Sequence, residues 1–288
     1  MPPDYAASAL AAGDSIRIVA ARTTELVREA QDRHGCSPTV TAALGRLLTG
    51  AALMGSMLQG RERITLQVTG DGPVRGIVAD VRAGGKVRGF PLQPNAERPL
   101  NRAGKFDVGG IIGRGFLHVT RIFDTGQPYT SAVPLATGEI GDDLASYFAR
   151  SEQIPTVVAV GVLASPQGVL AAGGILAQVL PGADERAIDA LESSARSMPH
   201  VSSLVRDGLS PEQLVDQIAG PLSPRVAGVH PVEFSCRCDR TRVAKAIVAL
   251  GKEALHSMAA QTGDTEATCD FCGRRYRFTP GEIAELLG

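Results

Sequence analysis

The chain has 288 residues, of which 44% are hydrophobic and 20% are charged, and its formal net charge at pH 7 is -1. This composition excludes a disordered chain and supplies apolar material for one large domain or two modest ones. A dedicated nucleic-acid binder normally carries a strong positive excess, so the nearly balanced charge argues against that class of protein.

The chain contains no sequence pattern that indicates a membrane protein or a secreted one. Its apolar stretches, such as AALMGSML at 51–58, are too short to cross a bilayer. The start, MPPDYAASALAAGDS, lacks the basic run of a secretory signal. We therefore expect a cytoplasmic protein without a membrane partner. Thiols are kept reduced in the cytosol, where clustered cysteines indicate metal or redox chemistry more often than structural disulfides.

Helical and strand patterns alternate along residues 1–181, which predicts one α+β domain. End signals predict helices at 23–35 and 37–58, the second beginning near Ser37 or Thr39. Apolar alternation on either side of Asp71-Gly72 predicts a β-hairpin. The other elements predicted in this domain are strands at 85–92, 118–123 and 128–135, a helix at 142–153, and a hairpin at 156–181 about a Ser-Pro-Gln-Gly turn.

Residues 182–230 follow a Pro181-Gly182 break and read as a helical linker. An amphipathic helix is predicted at 183–198. A short helix is predicted at 210–220, with Ser210 as its N-cap and an imperfect capping box because the nearest acid is Glu212. The proline-spaced stretch 221–231 reads as a connector. Residues 231–288 then form a small C-terminal module that closes with a predicted helix at 279–288.

Four of the five cysteines lie in this last module, as a CxC pair and a CxxC pair. Cys236 and Cys238 are separated from Cys269 and Cys272 by residues 239–268, an insert whose periodicity predicts one helix. Two close pairs on either side of a short insert match the plan of a four-thiolate zinc site. Alternate residues of an extended chain point to opposite sides, so both thiols of CxC can face one metal only if the backbone turns at Arg237.

The spacing alone leaves two roles open for the cluster. One is a redox-inert zinc knuckle that only stabilises a small module. The other is a redox switch, because a disulfide within CxC or CxxC closes a small ring and is typically labile. A module of this size has little core of its own, so oxidative loss of zinc would unfold it. Five arginines are predicted to offset the negative charge of the thiolates: Arg237, Arg240, Arg242, Arg274 and Arg275.

The residues resemble those of a known family, the thirty-three-kilodalton heat-shock chaperonins, which are redox-regulated holdase chaperones. The resemblance is carried by CRC and CDFCG with their insert, and by three motifs upstream. These motifs are GDGP at 70–73, YFARSEQIPT at 147–156 and AAGGILAQVLP at 171–181. It covers essentially the whole chain, although the linker at 183–228 is matched least securely.

The resemblance implies one zinc ion per chain, bound by Cys236, Cys238, Cys269 and Cys272 in a reduced, inactive state. It implies that oxidants release the zinc while disulfides form between Cys236 and Cys238 and between Cys269 and Cys272. The module and linker then unfold, unfolded client proteins bind without ATP, and the active protein forms a homodimer. The chain is thus expected to be a chaperone and not an enzyme.

Two other functions remain as alternatives to the holdase. A zinc-ribbon nucleic-acid binder is suggested by the arginines near the CxxC motif, notably Arg274, Arg275 and Arg277, but is opposed by the overall charge. A thiol oxidoreductase is suggested by CDFCG itself, although this motif does not join a strand to a helix in a βαβ setting. The remaining thiol, Cys36, follows His34 by two residues. We expect it to be dispensable, because adjacency in sequence is poor evidence for a catalytic pair.

Overall fold

The computed structural model describes residues 3–165 and 167–287 and confirms the mixed α+β class. The chain forms two compact units, Met1–Ser235 and Cys236–Gly288. Within the described ranges, no helix is both long and apolar enough to cross a membrane. Pro166, in the predicted Ser-Pro-Gln-Gly turn, lies outside the described residues.

The strands, in chain order, are β1 (Tyr5–Ala11), β2 (Ile16–Arg22), β3 (Arg63–Gly70), β4 (Gly76–Arg82), β5 (Lys86–Pro91), β6 (Gly115–Ile122), β7 (Tyr129–Pro134), β8 (Thr156–Ser165), β9 (Gly168–Val179), β10 (Arg225–Pro231), β11 (Glu233–Phe234), β12 (Thr265–Thr268) and β13 (Arg275–Phe278). The α-helices are α1 (Thr24–His34), α2 (Pro38–Gly55), α3 (Val108–Ile112), α4 (Gly141–Tyr147), α5 (Glu185–Ser197), α6 (Val201–Arg206), α7 (Pro211–Ala219), α8 (Arg240–Val248), α9 (Lys252–Ala259) and α10 (Pro280–Glu285). These bounds confirm the predicted helices and strands of the first 181 residues, and they add β1, β2 and α3, which had no counterpart in the prediction.

The first unit contains a five-stranded sheet and a six-stranded sheet. The five-stranded order is β10-β1-β2-β9-β8, and every pairing in it is antiparallel. The six-stranded order is β11-β5-β4-β3-β6-β7, in which only β11 and β5 run parallel. The predicted hairpin around Asp71-Gly72 is confirmed as β3 and β4, joined by residues 71–75. The connector predicted at 221–231 is wrong over most of its length, because β10 pairs with β1 there despite the flanking prolines.

Helix α2 is the centre of the larger hydrophobic core and is buried on almost all sides. It begins as predicted, with the Ser37 hydroxyl accepting a hydrogen bond from the Val40 amide at 3.3 Å. Small residues let neighbouring elements approach its backbone: a Cβ at Gly50 would lie 2.5 Å from the Leu144 side chain. The scarcity of charged residues along this helix therefore reflects its burial in the protein core.

The five-stranded sheet has apolar residues on both faces. Ala6, Val19 and Leu176 face the core around α2. Their neighbours Ile16 and Ile18 belong to a second core, which helices α5, α6 and α7 close from the other side. The segment predicted as a linker therefore contains helices whose buried side chains pack over a sheet face.

Helix α7 is held to the sheet by polar as well as apolar contacts. Its capping box is complete, contrary to the prediction, because the Gln213 side chain and not Glu212 accepts from the Ser210 amide at 2.8 Å. Glu212 instead accepts hydrogen bonds from the Tyr5 and Ser210 hydroxyls, each at 2.8 Å. The N-terminus of α7 is thus tied to strand β1.

Asp4 is a buried residue that precedes helix α1 by many positions, and its carboxylate caps the N-terminus of that helix. Its Oδ2 accepts a hydrogen bond from the Leu26 amide in the first turn of α1 at 2.8 Å, and its Oδ1 lies 3.9 Å from Nε of Arg22. Burial raises the pKa of the Asp4 carboxyl to about 6, against the opposing effects of the Leu26 amide and the Arg22 charge. Ionisation of this carboxyl is therefore less favourable in the folded protein than in the unfolded one.

We expect Asp4→Asn to flatten the dependence of stability on pH. The pKa of Asp4 is higher in the folded chain than in the unfolded one, so its favourable contribution is complete below about pH 4. This contribution is lost as the pH rises through about 6. Asparagine keeps an acceptor for the Leu26 amide and does not ionise. Chemical denaturation at about pH 3.5, below the unfolded pKa, should find similar free energies of unfolding for wild type and variant. At pH 7.5 the variant should be more stable by about 2–3 kcal/mol.

The control for this experiment is Asp189→Asn, which removes an exposed carboxylate from α5. Its unfolding free energy should run parallel to that of the wild type at all pH values. A similar parallel course for Asp4→Asn would contradict the assignment of a raised pKa to Asp4.

The second unit contains α8, α9, the β12–β13 hairpin and α10. Its core is small, with four fully buried apolar residues: Ile247, Leu255, Phe278 and Ile283. The single helix predicted in the insert is wrong. Gly251, at φ 93°, breaks it into α8 and α9, because glycine adopts this left-handed backbone without a steric penalty.

Candidate metal centre

The CxxC motif lies at the tip of the β12–β13 hairpin. The Cys269 amide donates to the Arg274 carbonyl at 2.9 Å, and the amides of Cys272 and Gly273 both donate to the Cys269 carbonyl, at 3.2 and 2.8 Å. Gly273 has φ 69°, which a residue with a side chain rarely adopts. This compact turn directs two thiols from neighbouring positions, as in a zinc knuckle.

The CxC motif lies just before α8, outside any strand. Asp239, the next residue, caps this helix by accepting from the Arg242 amide at 2.8 Å. The Arg242 guanidinium reaches back to donate to the Arg237 carbonyl at 3.1 Å. Because the segment is not in a strand, the alternation that would send the two thiols to opposite sides does not apply.

The four predicted thiols meet in one place, with their sulfur atoms all within 4.8 Å of one another. The contacts across the two motifs are Cys236 to Cys269 at 3.8 Å and Cys238 to Cys272 at 3.2 Å. Four sulfurs bound at about 2.3 Å to a tetrahedral zinc would lie about 3.8 Å apart. The donor set, four soft sulfurs without a carboxylate, therefore fits a zinc ion in both number and spacing.

The thiols share a partly desolvated environment that opposes ionisation. Desolvation raises the pKa of Cys269 and of Cys272, and the neighbouring Cys236 adds to both shifts. Cys272 is the most buried of the four, at 5% exposure. Four such sulfurs become thiolates together only beside a compensating cation, and a bound divalent metal supplies that charge.

The nearby arginines are mostly committed to carboxylates. Three of the five predicted to temper the cluster form ion pairs: Arg240 with Glu282 (2.6 Å), Arg242 with Asp239 (3.5 Å) and Arg275 with Glu266 (3.6 Å). Arg274 differs, because the Tyr276 side chain and the charges of Cys238 and Cys272 raise its pKa. The arginines therefore do not form a continuous basic surface, which weakens the case for nucleic-acid binding.

Tyr276 is a site residue that the sequence analysis missed. It is half-buried on β13, opposite Ala267 of β12, and its interaction with the Cys238 side chain raises the pKa of its hydroxyl. The only sequence signal was its position four residues after Cys272. That spacing alone does not distinguish a neighbour of the cluster from an ordinary strand residue.

The fifth cysteine is remote from this chemistry. Cys36 belongs to the core around α2, at 7% exposure, and burial raises the pKa of its thiol to about 12. The imidazole of His34 is hydrogen-bonded to the Gly89 carbonyl at 3.0 Å. The metal-ligating cluster found in the described residues consists of four cysteines and does not include His256.

The chain is similar to known chaperonins over nearly its whole length. Residues 4–279 match the family model described as Hsp33 protein. The 33 kDa chaperonin of Geobacillus kaustophilus (strain HTA426) is 44% identical over 285 residues, covering 98% of this chain and 97% of that protein. The 33 kDa chaperonin of Bacillus subtilis (strain 168) is 39% identical, with 98% of each chain covered.

A solved structure matches equally completely. The crystal structure of the 33 kDa chaperonin from Thermotoga maritima superposes with a TM-score of 0.92 at 36% identity, covering 99% of this chain and 97% of that one. The resemblance that the cysteine motifs suggested is thereby confirmed. From the family match and the extent of these similarities, the chain belongs to the Hsp33 family.

Proposed function

We propose that the protein is a redox-regulated, ATP-independent holdase, a chaperone that binds unfolding proteins under oxidative stress in the cytoplasm. The observation that carries this proposal is the meeting of four thiols on a unit with a very small core. Membership of a family of chaperonins supports a chaperone activity for this chain. The cysteine cluster supplies a means of controlling it.

In the reduced protein, Cys236, Cys238, Cys269 and Cys272 hold one zinc ion. The bound ion increases the free energy of unfolding of this unit, whose apolar core has only four buried residues among those described. The thiols hold the CxC segment against the hairpin tip, and α8 and α9 are ordered between the two motifs. In this state the protein does not bind clients.

Oxidation converts the thiols into disulfides. With hydrogen peroxide as oxidant, each pair of thiols loses two protons and two electrons and one S–S bond forms. The O–O bond of the peroxide breaks, and the peroxide is reduced to two molecules of water. We propose that the pairs are Cys236 with Cys238 and Cys269 with Cys272, as the family resemblance implies. Sulfurs in disulfides are poor ligands, so the oxidised unit loses its zinc and unfolds.

Unfolding of the C-terminal unit also unfolds the preceding segment, residues 182–230. The chain runs from β10 and β11 directly into Cys236. Helices α5, α6 and α7 cover one face of the five-stranded sheet in the folded chain. Their release uncovers apolar residues of that face, where unfolded client segments bind. The same exposed surface supports a homodimer of the oxidised form.

The experiment is to measure zinc content and chaperone activity together, before and after treatment with peroxide and mild heat. Reduced protein should contain one zinc per chain and leave the aggregation of an unfolding client unchanged. Oxidised protein should lose zinc and suppress aggregation without ATP, and reductant with zinc should reverse both changes. Cys36→Ser, a buried thiol outside the cluster, is the matched control and should behave as the wild type.

Two outcomes would reject the proposal. One is equal suppression of aggregation by the reduced, zinc-loaded protein, since the cluster would then control nothing. The other is complete loss of zinc without any gain of activity. Reduction of insulin disulfides at a catalytic rate would instead favour a thiol oxidoreductase.

A further inference from the structure

Two polar side chains lie on the inward face of the five-stranded sheet, where apolar residues are expected. Arg17 of β2 and Gln178 of β9 are direct cross-strand partners. Two residues along each strand, on the same face, Val19 and Leu176 are buried in the core around α2. The face therefore changes abruptly from apolar to polar at this one end of the sheet.

Neither side chain forms an ion pair or a strong side-chain hydrogen bond with the described residues. Gln178 is only 2% exposed, yet its amide makes no hydrogen bond with any described residue. The guanidinium of Arg17 makes a single contact, a long N–H···S interaction of 3.7 Å with Met57. A polar side chain that lacks a protein partner at the edge of a core is available to water, an ion or a ligand.

Both residues open onto a cavity of about 330 Å³ between the two sheets of the first unit. The walls are polar and apolar in nearly equal parts, and the apolar part includes Ile64 and Phe148, each 1% exposed. Phe123 also lines the cavity and is 44% exposed, which places it near the opening. A cavity that brings a few convergent polar groups beside an apolar wall has the form of a site for a small molecule.

The cavity lining contains three arginines and two glutamates, so it carries an excess of positive charge. Arg121 pairs with Glu152 at 3.0 Å, and Arg63 pairs with Asp80 at 2.7 Å. The Glu62 carboxylate accepts a hydrogen bond from the Gln59 amide at 2.9 Å. Only Arg17, among the lining arginines, has no acidic partner in the described chain. The geometry therefore favours an anion over a cation at this end of the cavity.

We propose that this cavity binds a small organic acid with a short apolar chain. The carboxylate would accept hydrogen bonds from the Arg17 guanidinium and the Gln178 amide, and the chain would lie against Phe148 and Ile64. A volume of about 330 Å³ lies at the lower end of the range for small-molecule sites, which suits a short-chain acid. This site is separate from the cysteine cluster, so it does not depend on the proposed redox switch.

The test is titration of the reduced, zinc-loaded full-length protein with octanoate, a carboxylate with a short apolar chain. Calorimetry should show saturable binding of one octanoate per chain. Octylammonium, with the same chain and opposite charge, should bind at least tenfold more weakly. Absence of saturable octanoate binding, or equal binding of the two probes, would overturn the proposal.

Substitutions of the two polar residues test whether octanoate binds in this cavity. Arg17→Met and Gln178→Leu should each weaken octanoate binding at least tenfold, and Arg17→Lys should weaken it less than Arg17→Met. Arg114→Met, which removes an exposed arginine outside this cavity, is the matched control and should bind as the wild type. Unaltered binding in Arg17→Met would assign octanoate to another surface and reject the site.

A second measurement serves if the variants do not fold. Nuclear Overhauser contacts between octanoate and the Phe148 ring in the wild-type protein should be observed at saturation. Contacts confined to exposed apolar residues such as Tyr129 would reject the site.

Discussion

Cys269→Ser should abolish stoichiometric zinc binding and unfold the C-terminal unit while leaving the N-terminal unit folded. A serine hydroxyl is a poor zinc ligand, and three remaining thiols leave the tetrahedral set incomplete. Structural zinc contributes about 10–16 kcal/mol of apparent binding energy in small zinc-finger peptides. The core of this unit, with Ile247, Leu255, Phe278 and Ile283 as its fully buried members, is too small to replace that contribution.

The measurement combines metal analysis with hydrogen exchange of the reduced protein. Protection should be lost from Cys236 to the C-terminus and retained in α2, whose side chains form the main core. Cys36→Ser again serves as the control, because it removes a thiol without touching the cluster. Full zinc content in Cys269→Ser, or a zinc-free unit that keeps its protection, would mean that the four thiols do not act as a structural metal site.

The cysteine cluster was largely predictable because its information is local. Each pair is nearly contiguous in sequence, and Gly273 marks the turn that directs the thiols of CDFCG. The insert was predicted only in part. Its helical periodicity is real, but the effect of Gly251 was underestimated, since glycine at a positive φ ends a helix even within a periodic pattern.

The sheets were less predictable because strand partners depend on residues distant in sequence. Strands β1 and β2 consist largely of alanine, isoleucine and valine, and the small side chains of YAASALA give a weak strand signal. Strand β10 is flanked by prolines and is mostly exposed, so it resembles a loop until β1 supplies its partner. The juxtaposition of Arg17 and Gln178 likewise exists only once β2 and β9 pair.

Helices α5, α6 and α7 form a cover over one face of the five-stranded sheet. Leu214 of α7 is fully buried in the second core, together with Val215 and Ile218. Shortening a buried leucine to alanine typically costs about 2–5 kcal/mol. That cost falls on a helix held to β1 by few polar contacts, chiefly the hydrogen bond from Tyr5 to Glu212. Leu214→Ala should therefore loosen α7 without touching the cysteines.

If release of this cover activates the chaperone, reduced Leu214→Ala should suppress client aggregation without an oxidant while keeping one zinc per chain. Hydrogen exchange should accelerate in residues 183–231 and remain slow in α2. Leu170→Ala is the control, because Leu170 is 58% exposed and its loss leaves the second core intact. A variant with accelerated exchange in 183–231 but no holdase activity would show that the covered sheet face is not where clients bind. Activity accompanied by loss of zinc would place the effect at the cluster, and the cover would then have no separate role.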